Sequence, residues 1–217
     1  MTELRPPILT KEQIWEEAET FRQKYVLPPD TVPVPIDDIV EFDLNIQPQP
    51  IPNLKSEHDI DGFFVFIRGA PVIYIDQNIY ENERQENRRR FTYAHESGHF
   101  WLHSDRIRAV KDEFNLDTPR DWIEFRANIP EDDLGWFEWQ AYEFAGRLLV
   151  PRNRLIQELN SCSDKVSAFR NVFPNGDDEQ LIDYLAGAIN QVFRVAEKTI
   201  VKRIRHEKIW DLLSFNS

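Results

Sequence analysis

The stretch His95-Glu96-Ser97-Gly98-His99 constrains the fold of this chain more than any other segment. Two histidines four positions apart share a face when the backbone is an α-helix. A helix is predicted over Arg84–His103, which holds no proline and has Gly98 as its single glycine. An apolar face beside the histidines is predicted from residues at helical spacing: Phe91, Ala94, Gly98 and Trp101. Because glycine weakens a helix, we expect Gly98 to permit the close approach of another backbone.

The H-E-x-x-H spacing indicates hydrolytic metal chemistry. His95 and His99 can direct both imidazoles at one ion, and Glu96 lies about 100° around the helix from His95. In this pattern the metal acidifies a water molecule and the glutamate accepts its proton. The alternative is a surface helix that carries two histidines by chance.

A catalytic zinc site normally needs a third protein ligand. His103 is excluded on a straight helix, because at 1.5 Å per residue its Cα lies about 12 Å from that of His95. His103 is expected to orient a ligand or the substrate, or to be an ordinary histidine near the helix end. A second helix from Gly135 to Val150 offers Glu138 and Glu143. Both border its apolar stripe, which consists of Phe137, Ala141, Phe144, Ala145 and Leu148.

Composition limits the class of protein. The net charge of −12 disfavours non-specific binding to nucleic acid or membrane surfaces. No apolar run approaches the ~18 residues that span a bilayer, and Met1–Pro7 lacks an apolar signal core. Cys162 is the only cysteine, which excludes an internal disulfide and a thiolate zinc cluster. A cytoplasmic location is the simplest expectation.

The N-terminal part is predicted to be helical and then extended. Lys11–Tyr25 has the pattern of an amphipathic helix, with Thr10 and Gln13 forming a capping box. Seven of the fourteen prolines fall between Pro28 and Pro52, so this stretch is predicted as an extended connector containing a short helix over Ile36–Phe42.

The remaining segments predict a small sheet and further helices. Gly62–Ile67 and Pro71–Asp76 are β-rich and are predicted to form a hairpin. Lys111–Leu134 is acidic and interrupted by prolines, and it is predicted as an irregular surface loop. After a broken stretch that ends near residue 176, helices are predicted at about 178–192 and 197–213.

Two motifs resemble the ImmA/IrrE family of bacterial metallo-endopeptidases. The first runs from Arg90 through the histidines to His103, and the second is Glu138-Trp139-Gln140-Ala141-Tyr142-Glu143-Phe144-Ala145, followed by Leu-Leu-Val-Pro at 148–151. The family pattern Glu-x-x-Ala-Asn-x-Phe-Ala places its glutamate on Glu138. The resemblance therefore implies Glu138, rather than Glu143, as the third metal ligand.

The resemblance also implies an α+β, mostly helical fold: a zincin-like metallopeptidase core with a small β-sheet and a C-terminal helical part like a helix-turn-helix. We expect an N-terminal helical and proline-rich segment over 1–60 packing on the core, the core over 61–160, and the C-terminal part over 161–217.

The implied activity is zinc-dependent endopeptidase cleavage of a protein, with Glu96 as general base. Zn²⁺ is the expected cofactor, although two histidines and a glutamate would also accept Mn²⁺ or Fe²⁺. The family relationship suggests a helix-turn-helix repressor as substrate. The substrate is expected to add as a strand beside Val72, Ile73, Tyr74 and Ile75; the alternative is that these residues form a core strand.

Tyr142 departs from the family pattern, which usually has asparagine at that position. It lies one helical turn after Glu138, where its hydroxyl would reach the metal-bound carboxylate or its ring would enter the cleft. Simple packing is the alternative.

A non-proteolytic regulator that binds a repressor or DNA is the competing hypothesis. Residues 194–208 carry six Lys or Arg against two Glu, on helices whose apolar positions resemble a helix-turn-helix. The apolar positions concerned are Ala186, Ile189, Phe193, Val195, Ile200 and Ile204. DNA binding is not expected because the whole chain is acidic. No membrane partner is expected, and the oligomeric state is left open.

Overall fold

The computed structural model describes residues 7–216 and shows a mostly helical α+β protein. Its strands are β1 (Pro48–Ile51), β2 (Gly62–Ile67) and β3 (Ala70–Asp76). Its helices are α1 (Lys11–Tyr25), α2 (Ile36–Asp38, continued by a π-helical turn over Ile39–Asp43), α3 (Leu54–His58), α4 (Gln77–Glu81), α5 (Glu86–Phe114), α6 (Pro119–Arg126), α7 (Glu131–Leu149), α8 (Arg152–Asn160), α9 (Ser163–Val172), α10 (Asp178–Phe193) and α11 (Glu197–His206). Short 3-10 turns occur at Glu83–Gln85, Trp210–Leu212 and Ser214–Asn216.

The sheet order is β1-β3-β2, with β1 parallel and β2 antiparallel to β3. The predicted hairpin of β2 and β3 is confirmed. The prediction that Val72–Ile75 form an edge strand is wrong, because β3 lies in the middle of the sheet. Part of the proline-rich connector forms β1 and covers the edge of β3, pairing Pro48 with Ile73. The free edge near the metal helix belongs to β2.

The long helix α5 carries the H-E-x-x-H residues and packs closely on α7. A Cβ atom at Gly98 would lie 3.3 Å from the Cα of Ala141 and 3.1 Å from Cδ1 of Phe144. The expectation that Gly98 admits a neighbouring backbone is therefore confirmed. This contact sets the distance between the helix with the histidines and the helix with Glu138.

The prediction of an irregular loop over Lys111–Leu134 is wrong. Helix α5 continues to Phe114, α6 fills part of the stretch, and α7 begins at Glu131. Thr118 caps α6 in a capping box with Asp121, with Pro119 in the first turn. Three acidic residues occupy the first turn of α7, where they interact favourably with the helix dipole.

The N-terminal and C-terminal helices share one apolar core with α5 and α7. This core runs from Ile14 in α1 to Leu213 and includes Phe144 of α7. Thr10 and Gln13 form the predicted capping box of α1. The broken stretch after Pro151 consists of α8 and α9, and the last predicted helix ends earlier, at His206. Among residues 7–216, the helices are too short or too polar to cross a membrane.

Candidate metal centre

The side chains of His95, His99 and Glu138 meet in the interior between α5 and α7. The His95 Nε2 atom lies 3.1 Å from His99 Nε2 and 3.1 Å from Glu138 Oε2. The His99 Nε2 atom lies 3.7 Å from Glu138 Oε1. The structure thus brings together the two motif histidines and the glutamate selected by the resemblance.

This donor set fits a tetrahedral metal ion. Bonds of 2.0–2.1 Å in tetrahedral geometry separate ligand atoms by about 3.3 Å. This is close to the 3.1 Å that separates His95 Nε2 from both His99 Nε2 and Glu138 Oε2, and one ligand atom from each of the three side chains lies within 4.8 Å of the others. Both histidines are buried, and Glu138 is partly buried. Two imidazole nitrogens and one carboxylate oxygen are the ligand set of several catalytic zinc sites.

The electrostatics of Glu138 and His99 also suit a cation. Burial raises the pKa of Glu138, but the hydrogen bond from His95, the imidazoles and Arg126 outweigh burial and lower it below its usual range. Burial lowers the pKa of His99 well below its usual value. Glu138 is therefore ionised and His99 neutral, which are the forms that bind a metal.

Glu96 lies beside the ligands on α5, and it is 3 % exposed. Burial raises its pKa to about 7. The backbone N–H of Phe64 in β2 lies near the Glu96 carboxylate and favours its charged form, and both residues line the same small cavity, so this edge of the sheet faces the candidate base. A carboxyl whose pKa is near 7 is well matched to accept and return a proton near neutral pH.

Behind His99 lies a polar network formed by His99, His103, Gln140 and the Pro7 carbonyl. The His99 and His103 Nδ1 atoms are 3.0 Å apart, and His103 Nε2 lies 3.0 Å from Gln140 Oε1. The Gln140 amide nitrogen donates to the Pro7 carbonyl at 2.7 Å. Burial lowers the pKa of His103 to about 4, so this imidazole is neutral. His103 thus contacts a ligand, as one of its two predicted roles requires.

Tyr142 packs against a ligand and also lines the open cleft. Its ring centroid lies 4.5 Å from that of His95 in an edge-on arrangement, and the side chain is 47 % exposed. Both the packing and the cleft position considered for this residue are therefore present.

Glu143 belongs to a different site, the buried ion cluster of Glu143, Arg147, Arg203 and Glu207. The Glu143 carboxylate lies 3.4 Å from the Arg203 guanidinium and 3.2 Å from the Lys202 ammonium group. Arg147 and Arg203 both pair with Glu207. Lys202, Arg203 and His206, all on α11, contact the Glu143 carboxylate, which therefore faces α11.

Two cavities adjoin the candidate centre. An open cleft of about 1030 Å³ is lined in part by His95, Glu96, Glu138 and Tyr142. A smaller cavity of about 80 Å³ touches Glu96, His99 and Glu138. The remaining lining of this apolar cavity is Phe63, Phe64, Val65, Ile107, Val110, Trp122, Phe125, Arg126, Ile129, Leu134 and Phe137.

Sequence reasoning missed several residues of the site. Arg126, whose guanidinium donates to Glu138 at 2.9 Å, lies in the stretch predicted as a loop. The Thr118–Asp121 capping signal would have revealed α6 and its apolar face. Gln140 has no local signature, because its role depends on partners 37 and 133 positions away along the chain.

Comparison with known families gives one match. The family model described as the IrrE N-terminal-like domain, Peptidase_M78, matches residues 54–205, which include every ligand candidate and Glu96. Comparison with curated proteins and with solved structures gave no match. Because the matched segment covers well over half of the sequence, the chain belongs to the IrrE N-terminal-like (ImmA/IrrE) family of metallopeptidases.

Proposed function

We propose that this protein is a zinc-dependent endopeptidase that cuts a protein substrate. The observation that carries the proposal is the buried His95–His99–Glu138 triad next to Glu96. The triad would hold Zn²⁺, and the same donors would accept Mn²⁺ or Fe²⁺. A bound ion would supply Lewis-acid chemistry and lower the pKa of water.

The chain's own residues provide the proton transfers. The Glu96 carboxylate accepts a proton from the attacking water and returns it to the leaving amine. The nearby Phe64 N–H favours the charged form of that carboxylate from the β2 edge. Surrounding apolar side chains of the cavity exclude bulk water and strengthen these electrostatic interactions.

The free edge of β2 is the best candidate for substrate docking. Strand addition supplies main-chain hydrogen bonds along an extended peptide, and it needs an unpaired edge. In residues 7–216, β2 has β3 on one side and lies at the end of the strand order. The proximity of Phe64 to Glu96 favours this edge over Val72–Ile75, the segment that the sequence pattern indicates.

The apolar cavity would take a substrate side chain next to the bond that is cut. Its lining is mainly aromatic and aliphatic, and it touches Glu96 and two metal ligands. Removing an apolar side chain from water into such a space is favourable by about 0.8 kcal/mol per CH₂ group. We therefore expect preference for a bulky apolar residue at that position.

A helix-turn-helix repressor is the proposed natural substrate, by analogy with the family. The alternative of a DNA-binding regulator is weakened by the basic residues near the C-terminus. Four of the six Lys and Arg of residues 194–208 pair with carboxylates: Arg194 with Glu86, Lys202 and Arg203 with Glu143, and Arg205 with Glu179. Cations neutralised in this way contribute less to phosphate binding.

The test is incubation of the zinc-loaded protein with a fluorogenic peptide library and with the repressor encoded beside its gene. We expect discrete fragments, and both a chelator and the Glu96→Gln variant should prevent them. Intact peptides and an intact repressor would contradict the proposal. Relief of repression without cleavage would favour the non-proteolytic regulator.

A further inference from the structure

One atom, the Pro7 carbonyl oxygen, determines which groups donate and which accept in the hydrogen bonds of the polar network behind His99. The Pro7 carbonyl oxygen can only accept a hydrogen bond, and it lies 2.7 Å from the Gln140 side-chain amide. The amide nitrogen of Gln140 must therefore face Pro7, which turns the amide oxygen toward His103. This orientation follows from donor and acceptor chemistry.

These donor and acceptor roles also fix the roles of the ring nitrogens in both imidazoles. Gln140 Oε1 accepts a hydrogen bond from His103 Nε2 at 3.0 Å, so a singly protonated His103 ring carries its proton on Nε2. His103 Nδ1 is then an acceptor, and it receives the Nδ1–H of His99 at 3.0 Å. His99 consequently has its lone pair on Nε2, the atom that faces His95 and Glu138.

The opposite orientation of the Gln140 amide would prevent His99 from acting as a metal ligand. If the amide nitrogen of Gln140 faced His103, the hydrogen bond to Pro7 would be lost and the two hydrogen bonds made by His103 would reverse. His99 would then carry its proton on Nε2, and a protonated nitrogen cannot bind a metal. Both rings are buried, so bulk water does not readily replace these partners.

We infer that Gln140 is a positioning residue, and that the Pro7 carbonyl sets which nitrogen of His99 binds the metal. This inference rests on the metal site of the proposed function. Pro7 lies outside the segment matched by the family, residues 54–205. The N-terminal segment therefore completes the surroundings of a ligand that belongs to the catalytic domain.

The first experiment measures zinc affinity by chelator competition in substituted proteins. Gln140→Leu cannot accept from His103, so we expect its zinc affinity to fall by about 10- to 100-fold. Gln140→Glu keeps an acceptor oxygen and should restore most of the affinity. Gln157→Leu, an exposed position on α8, is the matched control and should bind zinc like the wild type.

The second experiment reads the imidazole protons directly by ¹⁵N NMR of the metal-free protein. We expect His99 to be protonated on Nδ1 in the wild type and to give a mixture of tautomers in Gln140→Leu. Deletion of residues 1–8 removes the carbonyl, and a replacing water both donates and accepts, so this variant should also give a mixture. Pro7→Ala retains the main-chain carbonyl and should resemble the wild type.

Three results would overturn the inference. These are a wild-type His99 protonated on Nε2, a Gln140→Leu affinity within about twofold of the wild type, and a wild-type protein that binds no zinc. None of the measurements requires peptide hydrolysis. A protein that binds zinc as described but cuts no peptide would therefore refute the proposed function and leave this inference standing.

Discussion

Two glutamates of α7 lie five positions apart in sequence and have different surroundings. Glu138 faces two imidazoles and the Arg126 guanidinium, and its side chain is 22 % exposed. Glu143 is 1 % exposed and belongs to the buried ion cluster, where lysine and arginine side chains pair with it. The same type of side chain on one helix thus lies in a candidate metal centre at one position and in a structural contact at the other.

The partners explain this division of roles. An imidazole nitrogen can offer a lone pair to an ion, whereas the ammonium and guanidinium groups that pair with Glu143 are donors without a lone pair for a metal. A carboxylate paired with permanent cations has no need of a metal. A candidate metal ligand is therefore identified by the groups that surround it as well as by its residue type.

Among substitutions at the candidate metal centre, replacement of the candidate base Glu96 should have the largest effect on activity. Glu96→Gln keeps the shape of the side chain but cannot accept a proton, so peptide hydrolysis should fall by about 10²- to 10⁴-fold. Steady-state kinetics on a cleaved peptide, with zinc content measured in parallel, checks this. Near-normal turnover in the purified variant would assign the base elsewhere.

Matched substitutions of the two glutamates would separate their roles. Glu138→Gln should reduce the bound metal from about one per chain, since a neutral amide is a poor ligand. Glu143→Gln should keep the metal but lower the free energy of unfolding by about 3 kcal/mol, because it leaves buried cations short of a partner.

Elemental analysis and urea unfolding measure the two effects. His99→Ala is a second metal-deficient reference, and it should resemble Glu138→Gln in metal content. Loss of metal in Glu143→Gln with Glu138→Gln still loaded would reverse the comparison between the two carboxylates.

The spacing between α5 and α7 can be tested at Gly98. Gly98→Val would push its side chain against Ala141 and Phe144, and it should lower the free energy of unfolding by about 1–3 kcal/mol. A Cβ atom at Gly135, near the start of α7, would meet nothing within 4 Å, so Gly135→Ala is the control and should stabilise by up to about 1 kcal/mol. Equal thermal midpoints for the two variants would show that the helix contact is not tight.

The smallest expected effect is the pH dependence of the contribution that Glu143 of the ion cluster makes to the free energy of unfolding. Burial raises the pKa of Glu143, but Lys202, Trp15 and His206 outweigh burial and lower it below 4.5. The pKa of Glu143 is lower in the folded protein than in the unfolded chain. The ionised carboxylate therefore stabilises the fold above pH 4.5, and this stabilisation is lost as the pH falls through the folded pKa. The stability difference between wild type and Glu143→Gln should therefore narrow in acid, as pH-dependent urea titrations would show. A constant difference would mean that the charge of Glu143 does not contribute.

Local patterns predicted the metal helix, the Gly98 contact, the α1 cap and the β2–β3 hairpin. Each depends on residues that are near one another in sequence. Glu138 was separated from Glu143 by family resemblance, because both border the same apolar stripe. The structure places Glu138 with the histidines and gives a physical reason for the separation.

The features that sequence did not predict depend on distant partners. Strand β1 contains two prolines and becomes a strand because β3 offers it an edge. The direction of the Gln140 network depends on a main-chain carbonyl in another segment. The missed helix α6 is different, since its capping box is local and was outweighed by the acidic, proline-containing composition around it.

The contact between Gly98 and Ala141 has an evolutionary consequence. The two positions share one small volume, so a gain in side-chain size at either position would have to be absorbed on the facing helix. Sequence drift at this pair is therefore coupled, and a library randomised at both positions should retain only combinations of small residues. The crossing point of α5 and α7 therefore admits few mutational paths.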